Sequence, residues 1–134
     1  MTPKILVLDD DLEMLAMMNQ YLKGGRFHVL LSGDPHEALA TIQKEKPELI
    51  ICDLTMQGID GCSFHQEVRQ MKNVPFTAFL FIPSVDNDMV DRMNYELGAD
   101  EWLTVPIEKK HLLERVDHIV REVDELRQHA VHAH

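Results

Sequence analysis

Only two of the 134 residues are cysteine, Cys52 and Cys62. Their spacing builds neither a disulfide framework nor a zinc site, and Cys52 sits inside an apolar run, so both read as reduced, small and partly buried thiols. Positive charge is scarce as well: 13 Lys and Arg stand against 23 Asp and Glu, a net charge of -10 with a pI near 5.1. That balance argues against nucleic acid or an anionic membrane as a direct partner of this segment, because phosphate surfaces are gripped by clustered cations. Any DNA contact would come from another domain. No apolar run approaches the length of a membrane span, and Met1-Thr-Pro-Lys leads into the first strand without a signal core, so the expected compartment is the cytoplasm. Repeats and low-complexity segments are also missing. What is left is enough chain for one compact domain burying roughly two-thirds of its unfolded surface.

Strand-like and helix-like segments alternate five times, the mark of βαβ units and of an α/β fold with a parallel sheet covered on both faces. The strands are expected at about 4–8, 27–31, 49–52, 76–82 and 101–105. A first helix over about 11–23 carries Leu12, Leu15, Met18 and Leu22 at helical spacing and stops at Gly24-Gly25. Asp34 is a cap for the second, with Pro35 at its first position, Glu37 placed for a capping box and Ala38, Leu39 and Ile42 on the buried face. The third follows Asp60-Gly61 and aligns Phe64, Val68 and Met71. The fourth starts from Asp86, with Met89, Val90, Met93 and Leu97 facing inward until Gly98.

The last helix starts after Pro106 and is long. Leu112, Val116, Ile119, Val123, Leu126 and Ala130 recur at steps of four and three, the seam of a coiled coil, although an ordinary amphipathic helix covering a sheet gives the same spacing. Beyond about Val120 little of the domain is expected to remain for it to pack on. The chain is therefore divided into a domain over 1–122 and a helical extension, linker or tail over 123–134, with the extension pairing with a second subunit or leading to an output domain. The His-rich end, 129–134, is expected to be a frayed helix end or appended sequence.

Three aspartates close two of the apolar runs: Asp9 and Asp10 follow Ile5-Leu-Val-Leu8, and Asp53 follows Leu49-Ile-Ile-Cys52. Right-handed crossovers favour a doubly wound sheet of order 2-1-3-4-5, in which strands 1 and 3 are neighbours where the winding reverses, and there the three carboxylates converge. Like charges in one cleft call for a cation, and a few hard oxygens with water suit Mg²⁺. A carboxylate beside Mg²⁺ can attack phosphorus and form an acyl phosphate. The plainer alternative is that these residues solvate a loop or that Asp10 or Asp11 caps the first helix.

Three stretches, Lys4-Ile-Leu-Val-Leu-Asp-Asp-Asp11, Pro47-Glu-Leu-Ile-Ile-Cys-Asp-Leu-Thr-Met-Gln-Gly-Ile-Asp-Gly61 and Leu97-Gly-Ala-Asp-Glu-Trp-Leu-Thr-Val-Pro106, closely resemble the receiver domains of bacterial two-component response regulators, over about residues 3–122. The resemblance implies a flavodoxin-like fold. It implies phosphoryl transfer from a histidine kinase or phosphotransfer protein to Asp53, Mg²⁺ organised by Asp9 and Asp10, and a backbone carbonyl of Thr55 completing the metal shell. Trp102 matches an aromatic on strand 5 that often changes rotamer on activation, and the surface of helix 4, strand 5 and helix 5 commonly carries dimerisation or partner binding.

Three positions depart from the family pattern. The switch hydroxyl at the end of strand 4 falls on Pro83, with Ser84 next to it, Val105 replaces the lysine before Pro106, and Gln57 replaces a loop proline. Valine offers no charge and no donor, and proline no N–H, so two usual readouts of phosphorylation are missing. The leading expectation is an atypical receiver module of a phosphorelay, not an enzyme, that regulates an output domain or partner. The alternative is a pseudo-receiver working by constitutive interaction or dimerisation. A third reading, a small Mg²⁺-dependent phosphatase of the haloacid dehalogenase type, rests on Asp9-Asp10-Asp11 spelling Asp-x-Asp.

Overall fold

A computed structural model of the chain describes residues 2–54, 56, 60–82, 101–103 and 106–132. Its strands are β1 (Lys4–Leu8), β2 (His28–Ser32), β3 (Leu49–Asp53), β4 (Ala78–Ile82) and β5 (Glu101–Trp102), and its described helices are α1 (Leu12–Leu22), α2 (Pro35–Glu45), α3 (Gly61–Arg69) and α4 (Lys109–His132). The strands pair in parallel in the order β2-β1-β3-β4-β5, as the alternation of segments implies. The helix expected from Asp86, together with Gln57, Pro83, Ser84 and Val105, falls outside the described residues.

Between Lys4 at the start of β1 and Asp53 at the end of β3 the central strands are apolar, as strands buried on both faces require. Side chains alternate across the sheet, so Ile5, Val7, Leu49, Ile51, Leu80 and Ile82 face one helical layer with Leu15, Met18 and Leu22 of α1 and the apolar stripe of α4. Leu6, Leu8, Ile50, Cys52, Phe79 and Phe81 face the other, against Ala38 and Ile42 of α2 and Phe64 and Val68 of α3. Leu39 and Met71 pack at the margin of that second core. Leu12 departs from the expected stripe, being 77% exposed. It lies in the first turn, directly after the capping Asp11 and past the carboxyl ends of the apolar strands, where the helical period no longer has a sheet beneath it.

Asp34 caps α2 as expected, accepting the His36 N–H (2.9 Å), and Asp60, which the sequence marked only as the start of a helix, caps α3 by accepting the Ser63 N–H (2.7 Å). The Asp34 N–H donates to Ser32 Oγ at 3.3 Å, so that donor is satisfied from β2 rather than by Glu37 through a capping box. β4 also begins two residues later than expected. The carbonyls of Phe76 and Thr77 accept from Arg127 and Arg69, at 2.7 Å each, instead of entering a ladder.

Correction is needed most for α4. Leu112, Val116, Ile119 and Val123 are all buried in this chain's own core, as is Val120, and Val123 is only 1% exposed. A stripe of that width belongs to a helix lying on a sheet, broader than the two positions per heptad that a coiled-coil seam uses. Those four positions are covered by the chain itself. Of the seam residues whose side chains are described, Leu126 alone is open, at 51% exposure. Packing on the sheet thus runs past residue 122, and the helix continues to His132 where a frayed end was expected.

Candidate functional site

The register of β1 against β3 sets the site. Leu8 stands opposite Cys52, so one further residue on each strand brings Asp9 alongside Asp53 at the carboxyl edge of the sheet. Asp10 follows in the loop. One carboxylate oxygen from each of Asp9, Asp10 and Asp53 lies within 4.8 Å of the other two. Asp11 turns to a separate task, its Oδ1 accepting the Glu13 N–H (3.0 Å) as the cap of α1. The plainer reading of the acidic run therefore holds for Asp11, while Asp9 and Asp10 go to the cleft.

Asp9 is the constrained member. Its N–H donates to the Ser32 carbonyl (3.1 Å), its Oδ1 accepts the Asp11 N–H (2.9 Å), and it is 2% exposed. Burial pushes its pKa from the usual 3.8 to about 7; the Asp11 N–H opposes this, and the Asp53 carboxyl and the Asp10 charge add to it. Without a cation the pocket therefore keeps a proton that an exposed aspartate would have lost. A divalent ion would replace that proton with a stronger neutraliser, and three carboxylate oxygens at this spacing are the hard donor set that Mg²⁺ takes. Cys52, next to Asp53, is no competitor as ligand or nucleophile. Burial, reinforced by the Asp53 and Asp9 charges, pushes its thiol pKa up, and its Sγ donates to the Asp53 carbonyl at 3.3 Å.

Gly61 was singled out in the sequence only as part of a helix start. It also determines how closely α3 meets the backbone at the end of β3. Its N–H donates to the Leu54 carbonyl (2.9 Å), and a Cβ there would lie 3.1 Å from both the Asp53 carbonyl oxygen and Leu54 Cα. Any side chain there would force these backbone atoms apart by a few tenths of an ångström, a displacement that glycine avoids. The Asp-Gly pair ahead of an amphipathic run was the one available signal.

Trp102 is half-buried on β5, its ring 5.4 Å from that of Phe81, and its carbonyl accepts from Arg115 of α4. The other positions expected to report the site's state, Pro83, Ser84 and Val105, and the Thr55 carbonyl expected to complete the metal shell, lie outside the described residues.

Comparison with known proteins points the same way as the geometry. A family profile for the response regulator receiver domain matches residues 5–117. The probable transcriptional regulator ycf27 of Porphyridium aerugineum is 33% identical over 90% of this chain and 49% of its own length. The alkaline phosphatase synthesis transcriptional regulatory protein PhoP of Bacillus subtilis is 31% identical over 90% and 50%. The chain thus spans about half the length of the curated relatives it matches. Among solved structures, the chemotaxis response regulator CheY4 of Vibrio cholerae superposes with a TM-score of 0.76 at 27% identity, covering 89% of this chain and 99% of that one. A signal receiver domain from Bermanella marisrubri gives 0.79 at 28%, covering 90% and 99%. With the matched profile spanning most of the chain and the acidic cleft at the carboxyl edge of the expected sheet, this chain belongs to the response regulator receiver domain family and is a receiver module of two-component signalling.

Proposed function

We propose that Asp53 is the phosphoacceptor and that Asp9 and Asp10, with the Thr55 carbonyl, hold the Mg²⁺ that the reaction needs. The observation carrying this reading is the convergence of three carboxylate oxygens within 4.8 Å at the ends of β1 and β3. Mg²⁺, when bound, supplies positive charge to the phosphoryl oxygens and relieves repulsion among the carboxylates. The chain's own residues do the positioning. The Asp11 N–H fixes Asp9, and Gly61 lets α3 pack against the backbone that carries Asp53. A carboxylate oxygen of Asp53 attacks phosphorus in line, the bond from phosphorus to the donor nitrogen or oxygen breaks, and the donor leaves with that electron pair.

Phosphohistidine on a histidine kinase or phosphotransfer protein is the donor this chemistry fits, and the cytoplasm is the compartment. None of the described helices is long and apolar enough to cross a membrane. The output is regulation of an attached domain or of a partner, including a second copy of the chain. The buried seam of α4 leaves Leu126 as its described contribution to such contacts. With Val105 and Pro83 replacing a cation and a hydroxyl, acceptance is retained while the conformational readout differs from the family pattern. The phosphatase reading loses ground because Asp11, its second aspartate, is engaged in capping α1.

Incubation with a small phosphodonor and Mg²⁺ should add the mass of one phosphoryl group to the chain and none to Asp53→Asn. Absence of an adduct with every donor would favour the phosphorylation-independent pseudo-receiver instead.

A further inference from the structure

Far from the acidic cleft, the last turns of α4 pass the amino-terminal edge of the sheet. A cavity of about 500 Å³ opens there, lined in part by Pro3, Phe27, Glu48, Arg121, Asp124 and Gln128. Among the described residues, the hydrogen bonds that join the helix beyond Val123 to the rest of the domain come from one side chain. Arg127 donates from Nε to the Phe76 carbonyl (2.7 Å), from one terminal nitrogen to the Lys46 carbonyl (3.1 Å) and from the other to the Pro47 carbonyl (2.8 Å). Its guanidinium also lies 3.8 Å from Glu48 Oε1, which accepts the Lys4 N–H. The three acceptors are 51 to 81 residues away in sequence and sit just ahead of β3 and β4.

One of these acceptors has a special position. Lys46 ends α2 in the left-handed region, at φ 50° and ψ 58°, so its carbonyl belongs to the electronegative end of that helix. A planar fork of five N–H donors suits such a set of divergent carbonyls, where a lysine ammonium would satisfy fewer at a time.

We infer that Arg127 is a latch: it caps the carboxyl end of α2 from across the molecule and straps the last turns of α4 to the starts of β3 and β4, fixing the direction of that helix. The strap lies at the opposite edge of the sheet from the acidic cleft and does not rest on the role proposed for Asp53. Arg115 holds the same helix to the Trp102 carbonyl near its other end, so two arginines set its path across the sheet.

Residue-resolved amide hydrogen exchange on the full chain tests the latch. In Arg127→Ala, amides of residues 124–130 and of the last turn of α2 should exchange faster by about tenfold or more, the loss of at least one charge-assisted hydrogen bond, while β1 amides keep wild-type protection. Arg127→Lys should fall in the same direction by a smaller factor, and it decides the matter should the alanine variant fold poorly. His118→Ala, which removes only the exposed pair with Glu122, should leave these amides unchanged. Wild-type protection at 124–130 in both Arg127 variants would overturn the inference, and so would a uniform acceleration that includes β1.

Discussion

Asp9 carries the sharpest consequence at the scale of single residues. A buried carboxyl whose pKa stands near 7 when folded and near 3.8 when unfolded holds a proton in the native state across the interval between those values. Native protein then binds more protons than unfolded protein, so stability without a cation should fall as pH rises from about 4 to about 7, at a slope approaching about 1.4 kcal/mol per pH in the middle of that interval. Thermal melts in chelator should show that fall, and Asp9→Asn should flatten it. Gly61 makes a second prediction. Gly61→Ala should cost about 1–2 kcal/mol in urea denaturation despite alanine's better helix propensity, because the new Cβ meets backbone atoms of Asp53 and Leu54 that cannot swing away. The acidic pocket was legible in the sequence because the aspartates close two apolar runs, Asp9 and Asp10 after Leu8 and Asp53 after Cys52, and strand ends map onto a sheet edge. The need for Gly61 was not. A clash between a helix start and a loop seven residues earlier is a tertiary fact with no local periodicity.

Among the elements, α4 separates what pattern reading can deliver from what it cannot. Spacing of four and three residues located the helix, yet that spacing is shared by a seam between chains and a stripe on a sheet. Val120 distinguishes them, since a fifth buried position widens the stripe. Val123→Ala should accordingly destabilise the domain by about 1–3 kcal/mol, independent of protein concentration, whereas Leu126→Ala should change it by under about 0.5 kcal/mol. A dependence of the Val123 effect on concentration would restore the intermolecular seam. The end of α2 yields a converse prediction. Lys46→Gly relieves a left-handed backbone on a residue with a Cβ and should stabilise the domain by about 1 kcal/mol in chemical denaturation. Nothing in Glu45-Lys46-Pro47 announced the left-handed residue, since lysine is an uncommon choice there.

For the whole molecule, strand order and layer assignment were readable because alternation of segments, the two-residue period of the strands and the handedness of crossovers leave few other arrangements. Sequence showed less of how the two edges of the sheet differ. The carboxyl edge gathers three acids that repel, and the amino edge gathers Lys4, Glu48 and Arg127 into contacts that attract. On the reading proposed above, one edge takes up a cation and the other holds the scaffold still. The central claim is that the three aspartates form one divalent-cation site. Calorimetric titration with Mg²⁺ at pH near 6.5, repeated in buffers of different ionisation enthalpy, tests it most directly. The account predicts a single site that releases protons as it fills, as Asp9 gives up its proton, and that is lost or greatly weakened in both Asp9→Asn and Asp53→Asn. Binding of Mg²⁺ unchanged in either variant, or no binding by the wild-type chain, would contradict it.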